Sequence, residues 1–310
     1  MRSRFLAARG PLGKTLLATG DRTQRLARAG PPGYPAWLEM EPSRMPTYRR
    51  AALAFAFVTS LAWIGPPAWA TDLAAHRAVY DLKLESSKGG AVTAARGHMD
   101  YEMLDVCDGW TTHQFMDMTI TNSDGQDIDM QSDYITFESK DGLKLHYRMR
   151  QTTDQAVTDD VQGDATLQPN GGGGEARFTL PQESMKRLPR GTLFPTMHTA
   201  ALLAAAEQGK KMLALPLFDG TTEKGAQDSF IIVTHWGGPR PDKWPSLAKL
   251  PSGRFHLTFF DRAPSATEPD YEVSMRYWAN GVADDLSMDF GDFVMGGKLR
   301  EFSPVPPHGC

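Results

Sequence analysis

Apolar and polar positions alternate with period two over most of the chain beyond residue 75, the pattern of strands with one wet face. Between residues 76 and 85, Ala78, Tyr80, Leu82 and Leu84 share one face, while Arg77, Asp81, Lys83 and Glu85 share the other. Further strands are predicted over 96–106, 110–121 and 127–138. In a fifth, Leu143, Leu145, Tyr147 and Met149 alternate with Lys144, His146, Arg148 and Arg150. Asn122-Ser123-Asp124-Gly125 and Lys140-Asp141-Gly142 supply hairpin turns between them. Two less regular strands, 156–167 and 176–180, flank a glycine run at 171–174. No Gly-Lys-Ser/Thr follows that run, so it reads as a flexible hairpin tip and not as a phosphate loop. Six more strands are predicted over 212–218, 228–236, 253–261, 271–279, 282–290 and near 298–302. Asn280-Gly281 reads as a two-residue hairpin turn between two of these. The sum is about 13 strands in one antiparallel meander.

One segment breaks the alternation. Leu188-Pro189-Arg190-Gly191-Thr192-Leu193-Phe194-Pro195 leads into an alanine- and leucine-rich stretch that ends at Gly209, predicting a helix at about 196–208. Thr196 is the expected N-cap and Gly209 the left-handed stop, with Lys210 and Lys211 suited to the negative end. A helix this apolar cannot stay exposed, so a sheet must cover it.

The front of the chain is an address. Residues 51–70 form a short apolar run after Arg49 and Arg50, closed by Ala68-Trp69-Ala70, with cleavage expected between Ala70 and Thr71. Gly65-Pro66-Pro67 interrupts the run too early for a membrane span. Ordinary secretion is preferred over the twin-arginine route, because Ala51-Ala52 follow the arginine pair. Met45 begins a conventional signal peptide, 45–70, so residues 1–44 are expected to be a disordered extension from a misplaced start. The mature part, 71–310, is expected to be one domain.

Charge changes the picture once the leader is set aside. Residues 1–70 hold 10 of the 33 Lys and Arg and 3 of the 37 Asp and Glu, leaving 23 against 34, a net of −11. That balance argues against nucleic acid and against docking on anionic lipid. Cys107 and Cys310 both fall in the exported part and read first as one disulfide, worth at most about 5 kcal/mol by chain entropy. A free terminal thiol, a mixed disulfide or half a metal site are the alternatives.

The candidate chemistry is sparse. The eight histidines form no metal-binding spacing, and His198, beside Thr196 and Thr199, is expected to be a buried, hydrogen-bonded histidine. Asp284, Asp285, Asp289 and Asp292 match no calcium loop and read as a solvated face. No serine sits in a nucleophile elbow. Met99, Met103, Met116, Met118, Met130, Met149, Met275 and Met288 fall on strands and read as filling an irregular β core, with a lipid cavity as the alternative.

Arg77-Ala78-Val79-Tyr80-Asp81-Leu82, Cys107 followed by Gly109-Trp110, Gly191-Thr192-Leu193-Phe194-Pro195-Thr196 with His198-Thr199, and the near-terminal cysteine together resemble the EipB-like envelope-integrity family. The resemblance spans about residues 73–310 and implies a periplasmic protein of Gram-negative bacteria. It implies a spiral-like or half-barrel β-sheet around one central helix, and a disulfide that maps onto Cys107 and Cys310. It brings no catalytic residues. The expected function is non-enzymatic support of envelope integrity through binding another envelope component, a periplasmic or envelope protein or a lipid or lipoprotein, with no metal or cofactor, as a monomer. Gly191, Pro195, Thr196, His198 and Thr199 are its candidate structural or binding residues. A carrier of lipid or lipoprotein acyl chains is the alternative, and an envelope hydrolase the more distant one.

Overall fold

The computed structural model describes residues 73–263 and 266–306. The expected leader, its cleavage site at Ala70 and Thr71, the extension 1–44 and Cys310 lie outside these residues. The alternating segments form strands β1 (His76–Ser87), β2 (Val92–Asp105), β3 (Gly109–Asn122), β4 (Asp127–Ser139), β5 (Lys144–Thr153), β6 (Ala156–Leu167), β7 (Gly174–Leu180) and β8 (Ser184–Leu188). Helix α1 (Pro195–Glu207) follows, then β9 (Met212–Leu217), β10 (Gln227–Gly237), β11 (Ser252–Asp261), β12 (Tyr271–Trp278), β13 (Ala283–Asp289) and β14 (Phe293–Pro304). All fourteen join one antiparallel sheet in the order β8-β7-β6-β5-β4-β3-β2-β1-β14-β13-β12-β11-β10-β9. The first and last strands pair in its middle, His76 opposite Pro304.

The fourteenth strand is β8, absent from the sequence-based expectation. Its Met185, Lys186 and Arg187 are all exposed, so it carries no period-two signal. Charged side chains on a terminal strand discourage pairing with another chain. β14 begins earlier than expected, because Gly296 and Gly297 hide its pattern. A Cβ at Gly297 would stand 2.9 Å from the Leu286 side chain and 3.2 Å from that of Leu82.

Helix α1 is buried on every side: Thr196, His198, Ala200 to Leu203, Ala205 and Ala206 are all buried. An all-round apolar helix belongs inside its fold. Its first turn touches β4 and β10, which lie eight strand spacings apart in the sheet. On a flat sheet that separation would be about 38 Å, several times the width of a helix. The sheet therefore curls around α1. At the far end, Gly209 has φ +75° as expected, Gly209 N–H donates to Ala206 O and Lys210 N–H to Ala205 O. These two bonds are a Schellman stop.

Closure depends on the residues between β8 and α1. Leu193 N–H donates to Pro216 O at 2.9 Å and Leu193 O accepts from Phe218 N–H at 3.0 Å. This bridge ties the chain leaving β8 to β9, the opposite end of the sheet. Phe218 then packs among Tyr147, Phe178 and Phe194, with ring centroids 5.4, 6.2 and 6.3 Å away in edge-on geometry. The next residue but one, Gly220, lies so close to the Tyr147 ring that a Cβ would come within 2.3 Å of it.

Three local expectations are corrected. Ala279-Asn280-Gly281 is a three-residue loop: Gly281 N–H donates to Trp278 O, Trp278 N–H to Val282 O, and only Gly281 has positive φ. Asn280 stays right-handed and its side chain accepts from Val282 N–H, so the turn is type I with a glycine bulge. The glycine run is packed: Gly171 O accepts from Gly191 N–H, and a Cβ on Gly174 would meet Thr166 O at 1.9 Å. The acidic cluster is not a plain solvated face. Asp284 is buried, accepting from Asp285 N–H, Leu299 N–H and Arg276, where β13 bulges against β12 at Asp285, φ +52°.

Candidate functional site

The segment 191–199 was singled out by sequence, and its geometry is set by three strands far from it in the chain. Gly191, φ +80°, turns the backbone after Arg190, and Thr192 folds its hydroxyl onto Pro189 O at 2.8 Å. Phe194, fully buried and extended at φ −87°, is the N-cap residue and offers no side-chain acceptor. Pro195 occupies the first helical position, where its fixed φ fits and its missing N–H costs nothing.

Thr196 is therefore not the cap. It sits one residue further in, buried, and its own N–H needs a partner. Glu138 on β4 supplies it: one carboxylate oxygen accepts from Thr196 N–H at 2.7 Å and the other from Met197 N–H at 2.9 Å. A carboxylate at a helix N-terminus satisfies orphan donors and faces the positive end of the dipole. Glu138 is 1% exposed. Burial pushes its carboxyl up from 4.5 to about 7, against the opposing pull of its hydrogen bonds from Thr196 and Met197. Sequence reasoning missed Glu138, although it falls in phase with inward-facing Met130 and Tyr134. A glutamate in the apolar phase of a strand was the available signal.

His198 is buried as expected, 3% exposed, and burial holds its pKa down to about 4. Its Nε2 lies 2.7 Å from Ser229 Oγ on β10, and that hydroxyl donates onward to Leu215 O at 2.7 Å. With the serine proton committed to the carbonyl, the hydroxyl accepts from Nε2–H. The imidazole is thus neutral and a donor, the reverse of the relation a serine nucleophile needs with its base. Thr199 bonds to Tyr277 on β12. The helix start is thereby fixed to β4, β10 and β12 together.

A cleft of about 180 Å³ opens beside this first turn, lined by Gly191, Leu193, Met197, Ala201 and Leu215. The strand methionines elsewhere face inward: Met99, Met103, Met118, Met130, Met149, Met275 and Met288 are buried, while Met116 is half-buried. Among the described residues no group of His, Cys, Asp and Glu is placed to hold a metal ion, and no cysteine is free. Cys107 lies in the turn between β2 and β3 with φ +69°, its N–H bonded to Asp105.

The chain is 30% identical over 269 residues to the cell envelope integrity protein EipB of Brucella abortus (strain 2308), covering 81% of this chain and 92% of that protein. A crystal structure of a β-barrel-like protein of a domain of unknown function, also from Brucella abortus, superposes with a TM-score of 0.68. It is 27% identical and covers 76% of this chain and 99% of that one. Residues 67–306 match the family described as EipB-like, and the chain belongs to that family.

Proposed function

We propose that this chain is a non-enzymatic periplasmic protein of a Gram-negative envelope that supports envelope integrity by binding another envelope component. The observation that carries this reading is its similarity, over 81% of its length, to a protein named for cell envelope integrity. The direction of the His198–Ser229–Leu215 hydrogen bonds supports a structural use of this buried serine–histidine pair. Export with cleavage after Ala70 fits a family match that begins at residue 67.

Deleting the gene and challenging the cells with detergent tests the role. Increased sensitivity, restored by the exported chain but not by one lacking residues 45–70, is the expected result. Unchanged resistance would reject it. An acyl-bearing adduct in native mass spectra of the purified protein would move the function to a lipid carrier.

A disulfide between Cys107 and Cys310 belongs to the same reading, supported by the lack of a free cysteine among the described residues. Cys107→Ser is expected to cost about 2–5 kcal/mol while the fold persists. Reductant should lower the melting temperature of the wild type by a similar amount and leave the variant unmoved. Indifference of the wild type to reductant would remove the bridge from the account.

A further inference from the structure

β9 ends the sheet and pairs with β10 along one side only. Antiparallel ladders alternate, so the direction of each backbone group follows from a few known bonds. Val233 N–H donates to Lys211 O across the β9–β10 ladder, and Leu193 takes Pro216 O and Phe218 N–H on the other side. Met212 and Ala214 therefore turn their N–H and C=O groups away from β10, as Pro216, which has no N–H, turns its C=O. Leu193 covers this outer edge only at its Pro216–Phe218 end. Beyond it, Met212 and Ala214 each present a donor and an acceptor that no described residue takes up.

The side chains tell the same story. Leu213 and Leu215 face inward opposite Ile231 and Ser229, which are buried, yet both leucines remain half-exposed. Leu215 lines the cleft that reaches Met197 and Ala201 of α1. Met212 is 62% exposed at the outer rim. Lys210 and Lys211, both exposed, stand at the start of this edge, and neither has a carboxylate partner among the described residues.

Resting on the envelope-binding reading above, we propose that an extended, acidic segment of a partner polypeptide adds as a strand to β9 along Met212–Leu215, placing one apolar side chain in the cleft. A hydrocarbon chain could fill the cleft but would leave two N–H and two C=O groups facing it; an extended peptide satisfies both. The lysine pair selects for acidic residues flanking that strand.

The probe is a synthetic octapeptide alternating glutamate and valine, tested on the exported protein against its lysine–valine counterpart and against palmitate. Binding of the glutamate peptide should slow hydrogen exchange at the amides of Met212 and Ala214. Ala214→Pro removes one edge donor at a position that, like Pro216, needs no bond to β10. It should weaken binding about tenfold with an unchanged melting temperature. Should that variant unfold, Lys210→Glu with Lys211→Glu, both on exposed side chains, should reverse the preference between the two peptides. Binding that ignores these changes, or palmitate binding that leaves both amides exchanging freely, overturns the proposal. Photo-cross-linkers placed in living cells at position 214 and at Thr119, on the outer face, separate the two readings. A partner captured only from 119 overturns the edge and leaves the envelope-binding reading standing; capture from neither position overturns both.

Discussion

Phe218→Ala is expected to destabilise the protein by about 3–5 kcal/mol, as for other fully buried aromatics cut back to alanine. The ring has no exposure and stands edge-on to Tyr147, Phe178 and Phe194, so its removal leaves a cavity bounded by stiff rings that cannot close over it. Its position raises the stakes. Phe218 lies just beyond β9, while its neighbours come from β5, β7 and the residue before α1. The cluster joins the two ends of the sheet beside the bridge that ties Leu193, beyond β8, to β9. Urea unfolding should show a lower midpoint, and hydrogen exchange should quicken at Leu193 and Phe218 more than at the β2–β3 ladder. Phe230→Ala, at a ring 37% exposed on β10, is the control and should cost far less. Equal losses from the two variants would mean that the aromatic cluster does not hold the seam.

The meander itself was legible because most strands have one wet and one dry face, as in β5, where Leu145, Tyr147 and Met149 are buried between exposed neighbours. The helix was legible for the opposite reason, since an all-apolar segment with a glycine stop has no place outside. What escaped was whatever depended on distant partners. β8 has solvent on both faces and leaves no pattern. The cap of α1 comes from Glu138, 58 residues upstream, so no local rule for serine or threonine caps could find it. The reading of Asp284 failed likewise: its partners Arg276 and Leu299 meet only where a bulge in β13 turns the carboxylate inward. Sequence placed the helix approach at the centre of the molecule; it did not show that β9 leaves an open edge beside it.

The second large effect is one of pH. Glu138 and His198 occupy the same first turn and are displaced in opposite directions by the same cause, burial. The folded Glu138 titrates at about 7, above its ordinary 4.5, so the native state holds a proton that the unfolded chain has released. Its contribution is complete below pH 4.5 and is lost as the pH rises through 7. His198 is the mirror case: folded at about 4 against an ordinary 6.5, it contributes fully above pH 6.5, and this is lost as the pH falls through 4. Each shift corresponds to about 3 kcal/mol. Between the ordinary values of 4.5 and 6.5 the two slopes oppose one another, with the Asp219 carboxyl, raised by burial, siding with Glu138 and the lowered His76 siding with His198. Single variants should separate them. Relative to Glu138→Gln, the wild type should gain about 3 kcal/mol between pH 7.5 and 4.5, read as a growing gap in urea midpoints. Relative to His198→Gln, it should lose a comparable amount between pH 6.5 and 4. Parallel stability curves for wild type and Glu138→Gln would show that the carboxylate is solvated or the cap unmade. The buried turn would then be held by Pro195, His198 and Thr199 alone.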